Sequence, residues 1–140
     1  MREPQIIKGN NHRDDRGEIQ FNNKFNAIEV KRIYTIENKE LEFIRAWQGH
    51  KIEKRWFSVI QGNFEIKLVR INNWQEPDPK SEIITFQIDD KGLHILYVPP
   101  GFVTSIQALV ENSKLLAMSD YMLGEVNDEY RFNENYFTKL

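Results

Sequence analysis

The chain has 140 residues and 16.7 kDa, with 40% hydrophobic and 29% charged residues, the composition of an ordinary globular domain able to bury its own core. A formal net charge of −2 and a pI near 5.9 lack the basic surplus of a duplex nucleic-acid binder, yet leave room for a local basic pocket. With no cysteine, disulfides, thiolate zinc sites and thiol catalysis are excluded; with no apolar leader core or membrane-length apolar run, the expected location is the cytoplasm.

Short segments of alternating polarity follow one another along the chain, separated by turn signals. Asp14-Asp15-Arg16-Gly17 predicts a turn, with a strand over residues 18–21 after it. Residues 28–36, IEVKRIYTI, are rich in β-branched side chains and end at Glu37-Asn38-Lys39. Strands are predicted over 43–47 and 55–60, flanking a polar stretch that reads as solvent-exposed. Gln61-Gly62-Asn63 predicts a tight hairpin, because Phe64, Ile66 and Leu68 resume a strict period of two. Residues 72–81, NNWQEPDPKS, carry two prolines and read as a loop. Further strands are expected over 83–88, over 93–98 up to Pro99-Pro100-Gly101, over 102–109 and over 115–121. About ten strands with frequent turns predict an all-β sandwich or jelly roll. The polar tail over 124–140, with Tyr130, Phe132, Tyr136 and Phe137, predicts a short C-terminal extension strapped over the barrel. No repeat or composition shift divides the chain, so one domain is expected over 1–140.

Two stretches concentrate the chemistry: residues 45–62, RAWQGHKIEKRWFSVIQG, and 96–109, LYVPPGFVTSIQAL. They have the layout of the two motifs of a cupin barrel, a double-stranded β-helix in which three histidines and a glutamate surround a transition metal. Here Gln48 and His50 stand where the first two histidines would be, Arg55 lies near the glutamate position, and Thr104 replaces the last histidine. A cation where a carboxylate should be and a single surviving ligand imply a barrel that binds no metal.

Four segments resemble the metal-free cupins that include the dTDP-4-dehydrorhamnose 3,5-epimerases and the dTDP-4-keto-6-deoxyglucose 3,4-ketoisomerases. Asp14-Asp15-Arg16-Gly17 is similar to an N-terminal D-x-R-G, and VKRIYTIEN over 30–38 to a tyrosine-bearing strand. RAWQGH over 45–50 is similar to R-G-x-H-x-H/Q, and 96–109 to L-Y-I-P-x-G-F-x-H-x-F-x-x-L. The resemblance implies a cupin (jelly-roll) fold and an enzyme that moves protons beside a keto group, with neither metal nor redox cofactor. It implies a nucleoside-diphosphate sugar as partner and a homodimer in which N-terminal strands cross between barrels. It also implies roles: His50 as base or proton shuttle, Tyr121 as acid, and Arg16 and Arg45 as phosphate contacts. Gln48 and Thr104, at the family's histidine positions, would then recognise the sugar, and the family's usual base is lost at Gln48.

Each residue also has a plainer reading. Arg16 is equally a solvated turn charge. Arg45, flanked by Phe43, Ile44, Ala46 and Trp47 on a strand, has to point somewhere costly unless an anion meets it. Trp47 and Trp56 either stack on a ligand or fill core. Tyr34 and Tyr97 compete with Tyr121 for the acid role, His94 reads as structural and His12 as exposed, and Lys54 and Arg55 read as a solvated face. Two function classes stay open: a nucleotide-sugar epimerase or ketoisomerase of surface polysaccharide synthesis, acting on a 4-keto-6-deoxyhexose, and a sugar-nucleotide binding module without catalysis.

Overall fold

The computed structural model describes residues 2–137; Met1 and residues 138–140, at the ends of the expected domain, lie outside the described residues. Twelve strands and no helix occur among the described residues: β1 (Gln5–Ile7), β2 (Asn10–Asp14), β3 (Gly17–Phe21), β4 (Arg32–Ile36), β5 (Ile44–His50), β6 (Arg55–Gln61), β7 (Asn63–Arg70), β8 (Ile84–Asp89), β9 (Ile95–Val98), β10 (Phe102–Ala108), β11 (Lys114–Ser119) and β12 (Glu129–Arg131). One five-stranded antiparallel sheet runs β1-β9-β6-β11-β4, a second runs β12-β5-β10-β7-β8, and β2 and β3 form a separate hairpin.

Alternation along each strand decides which side chains meet between the sheets. Phe57 and Val59 of β6, Leu96 and Val98 of β9, and Leu115 and Ala117 of β11 point inward from the first sheet. Phe64, Ile66 and Leu68 of β7, with Phe102 and Ile106 of β10, meet them from the second. Both outer faces are covered in part. Trp56, Ile95, Tyr97 and Met118 pack under Ile7, Phe25 and Val30 on one side, and Trp47, Val69 and Val103 pack under Phe132, Tyr136 and Phe137 on the other. The C-terminal extension is thus a strap as expected, anchored by β12 pairing with β5.

Two expectations are corrected. Gln61-Gly62-Asn63 makes no hairpin: β6 and β7 lie in different sheets, and Gly62 is the corner between them. The period of two shifts by one residue at the corner, from Phe57 and Val59 on β6 to Phe64, Ile66 and Leu68 on β7, so that both inward rows face the core. Glycine is required there, with φ of 86° and a Cβ position 2.1 Å from Ser113 Oγ. Nor is the polar stretch after Trp47 exposed throughout: Lys51 and Ile52 are, at its tip, but the residues on either side are not. β5 runs on to His50, and His50, Glu53 and Arg55 are all buried, because their polar groups face one another inside one end of the barrel.

Candidate functional site

The apolar core fills one end of the barrel, and polar side chains occupy the other. Their placement depends on a β-bulge. Thr104 of β10 opposes Gln48, while Ile106 opposes Arg45, so three residue steps on β5 match two on β10. The extra residue brings Arg45 and Gln48 onto the same face, which ideal alternation would forbid. Both line a cavity of ≈ 330 Å3 with Tyr34, Arg55, Thr104 and Arg131.

The cationic lining differs in depth. Arg45 is exposed at the rim, its Nε 3.4 Å from Asn38 Oδ1 and its guanidinium beside the Phe43 ring. The expected cost of placing Arg45 on an apolar strand is therefore absent, because the side chain reaches water. The buried cation is Arg55, only 4% exposed, which corrects the reading of it as part of a solvated face. Its position follows from β6 alternation, which points Arg55 inward in line with Phe57 and Val59. The guanidinium rests on the Phe57 ring, Tyr34 shares the cavity lining with it, and its Nη2 has no partner. Burial pulls its pKa below the usual arginine range, against the favourable influence of Tyr34, Glu53 and Asp128. Arg131, from β12, is tied by Nε to Glu129 Oε2 at 2.7 Å.

His50 sits beside this cavity rather than on its lining. Its Nδ1 is 3.0 Å from Asp128 Oδ1, and its Nε2 is 3.0 Å from Glu53 Oε2, poorly enough aligned that this oxygen has no hydrogen bond. Glu53 Oε1 in turn lies 3.5 Å from Arg32 Nη2. Asp128 Oδ2 accepts the backbone N–H of Ile52 at 2.7 Å and of Glu53 at 2.8 Å. Burial alone would push the Asp128 carboxyl up, but His50 and these two N–H groups outweigh it and hold the pKa below its ordinary value. Asp128 and Arg131 escape a reading of the sequence: both lie in a polar tail with no period or motif, and only the pairing of β12 with β5 brings them to the site.

The remaining predicted residues are dispersed. The Gln48 side chain donates through Nε2 to Glu129 Oε2 at 2.7 Å, and the buried Thr104 hydroxyl donates to the Gln48 carbonyl at 3.2 Å. Trp47 points to the outer face, its Nε1–H donating to the Glu134 carbonyl and its ring edge-on to Phe137. Tyr121 lies outside the cavity, half-buried below Lys31 Nζ; Tyr34 is the tyrosine that lines it. Arg16 is exposed on the β2–β3 turn, paired with Asp14 at 2.8 Å. Trp56 fills the outer cluster of the first sheet, His94 accepts the Gly9 N–H, His12 is exposed, and Lys54 pairs with Glu29. A larger depression of ≈ 470 Å3 beside the 37–42 loop is lined by Glu37, Glu40, Glu42 and Glu111, a poor host for phosphate. Among the described residues no three histidine or carboxylate side chains are grouped as metal ligands.

Several solved structures share this architecture. A 3,4-ketoisomerase from Thermoanaerobacterium thermosaccharolyticum, in complex with TDP-4-keto-6-deoxyglucose, superposes with a TM-score of 0.71 at 20% identity over 95% of this chain and 90% of its own. The TDP-quinovose 3,4-ketoisomerase of Campylobacter jejuni gives 0.69 at 17% identity over 97% and 98%. The dTDP-4-dehydrorhamnose 3,5-epimerase of Bacillus anthracis, with TDP and pyrophosphate bound, gives 0.73 at 17% identity over 95% and 80%. The fold is a cupin double-stranded β-helix. No family model matches the chain, and no curated protein matches it.

Proposed function

We propose that this cupin binds a nucleoside-diphosphate sugar in the cavity between β4, β5, β6 and β10 and acts as an epimerase or ketoisomerase on a 4-keto hexose. The observation that carries this reading is the concentration of three guanidinium groups, Arg45, Arg55 and Arg131, around one concave site whose one carboxylate, Glu37, is paired with Lys114, in an otherwise slightly acidic chain. Guanidinium forks match phosphate oxygens, and the exposed Arg45 at the rim suits the pyrophosphate. His50 supplies the base: donating Nδ1–H to Asp128 leaves the Nε2 lone pair to take a proton from the carbon beside the keto group, once Nε2 exchanges Glu53 for substrate. The electron pair moves to the keto oxygen, and a tyrosine hydroxyl returns a proton. The resemblance assigns that acid to Tyr121, while Tyr34 has the cavity.

The resemblance points first to a dTDP-linked 4-keto-6-deoxyhexose, to surface polysaccharide synthesis and to the cytoplasm. It also favours a dimer. The β2–β3 hairpin packs on no other strand extensively and Arg16 does not line the nucleotide-sugar cavity of its own chain, so a role for it there needs a second copy.

A second reading, binding without turnover, is favoured by Gln48: an amide committed to Glu129 stands where the family's base would be. Calorimetry and solvent exchange separate the two. Arg45→Ala should weaken nucleotide-sugar binding about tenfold or more, the worth of one charge-assisted hydrogen bond. Wild type should incorporate solvent deuterium into a 4-keto sugar nucleotide, and His50→Ala should not. Binding without exchange in wild type establishes the binding module. Unchanged affinity in Arg45→Ala would place the ligand elsewhere.

A further inference from the structure

Arg55 is a buried cation with no ion pair among the described residues. It is 4% exposed, it lines the cavity, and its Nη2 meets no acceptor. No carboxylate lies within ion-pair distance of it among the described residues; the nearest acids, Glu53 and Asp128, are committed to Arg32 and His50. A buried charge left in this state is costly to the fold, and a well-packed apolar side chain would serve stability better. The Phe57 face, 5.2 Å from the guanidinium carbon, supports the group without neutralising it. Burial depresses its pKa, in keeping with a site short of negative charge.

The pyrophosphate already has a place at the rim with Arg45 and Arg131. Arg55 lies deeper, on β6, opposite Ser119 of β11 and Val98 of β9, where the sugar of a nucleotide sugar would enter. A 6-deoxyhexose would present a methyl group or neutral hydroxyls there and leave the cation uncompensated. A planar carboxylate in the cavity matches the planar guanidinium that lines it.

We propose that Arg55 forms an anion subsite on the cavity floor that recognises a carboxylate on the sugar, so that the preferred ligand is a nucleoside-diphosphate uronic acid. This rests on the nucleotide-sugar reading and changes one feature of it, the substituent on the hexose. The same arrangement accounts for Arg55 being an arginine: the energy stored in an unpaired buried cation is released when the acid binds, which makes the subsite selective against neutral sugars.

Isothermal titration calorimetry with two matched pairs tests this: UDP-glucuronate against UDP-glucose, and dTDP-glucuronate against dTDP-glucose. Each pair differs only at C6, and with a 4-hydroxyl in place of the keto group the readout is binding alone. In whichever nucleotide series binds more tightly, the acid should bind wild type about tenfold or more better than the neutral sugar. Arg55→Gln should abolish that preference, so that the acid and the neutral sugar bind the variant about equally, whatever their common affinity. Arg55→Met should melt at or above the wild-type temperature, because it removes the uncompensated cation. Equal or weaker binding of the acids to wild type overturns the subsite, and that measurement needs no variant. A preference surviving in Arg55→Gln, or a large loss of stability in Arg55→Met, also overturns it. If the bare diphosphates UDP and dTDP bind while no sugar acid is preferred, the subsite alone fails. If neither they nor any of the four sugars bind, the nucleotide-sugar reading fails with it.

Discussion

Asp128 ties three separate pieces of chain together: β12, whose start it marks, the His50 ring on β5, and the backbone of Ile52 and Glu53 in the turn to β6. Its carboxylate is favoured in the folded state, since His50 and the two N–H groups hold its pKa below the ordinary value despite burial. A depressed carboxylate contributes stability that is present above the unfolded pKa, about 3.9, and is lost as the pH falls through the folded value. Asp128→Asn should therefore lower stability at neutral pH by about 1.5–3 kcal/mol, the worth of a hydrogen bond to a charged group. The loss should shrink as the pH drops below about 4, where the wild-type carboxylate also becomes protonated. Urea unfolding of both proteins between neutral and acid pH checks this; a difference that stays constant across the range would show that Asp128 is not acting through its charge. The sequence alone marks His50, Gln48 and Thr104, because neighbouring residues fix their positions in the motif. Arg55 reads there as a solvated charge because arginines usually are, and only strand alternation, with Phe57 and Val59 inward, assigns it to the interior.

Alternating polarity made the strands legible, and the barrel with them, because a period of two marks a sheet with one buried face. What it could not supply was pairing. Gly62 fits a hairpin and a corner equally well by local chemistry, and the choice is made by Ser113 and Asp90, far along the chain: Asp90 Oδ2 accepts the Gly62 N–H at 2.9 Å. The β5 bulge is similarly silent in the sequence, yet it sets Arg45 and Gln48 side by side at the cavity and turns Trp47 outward. Trp47 then anchors the C-terminal strap, with ring centroids 5.2 Å from Phe137 in an edge-on arrangement. Removing this indole should destabilise the protein by about 3–5 kcal/mol as Trp47→Ala. In a double-mutant cycle, Trp47→Ala and Phe137→Ala should couple by about 0.5–1.5 kcal/mol. Additive losses in equilibrium denaturation would mean that the strap is held elsewhere.

At the scale of the whole molecule, the donor set and the open sheet edges each lead to a measurable property. Gln48, Arg55 and Thr104 occupy the places of metal ligands, and both nitrogens of His50 already face carboxylates, so a divalent ion would meet a guanidinium instead of a cage. Elemental analysis after incubation with zinc, iron or manganese should find no stoichiometric metal; one tightly held ion per chain contradicts this. The assembly prediction rests on surface. The first sheet ends at β1 on one side and β4 on the other, and on the β4 side Ile33 is 66% exposed while Ile28, before it in the chain, is 83% exposed. Ile60 on the same sheet and Ile19 on the unsupported hairpin are also exposed. Edges and apolar residues left open in this way favour pairing with a second copy, and a two-fold arrangement closes them without leading to open polymers. Sedimentation velocity at micromolar concentration should therefore give a species of twice 16.7 kDa. Ile33→Lys, which places a charge on the exposed β4 edge, should shift it toward the monomer while leaving the barrel folded. A wild-type protein that sediments at 16.7 kDa shows that these edges stay open and that Arg16 serves no partner's cavity.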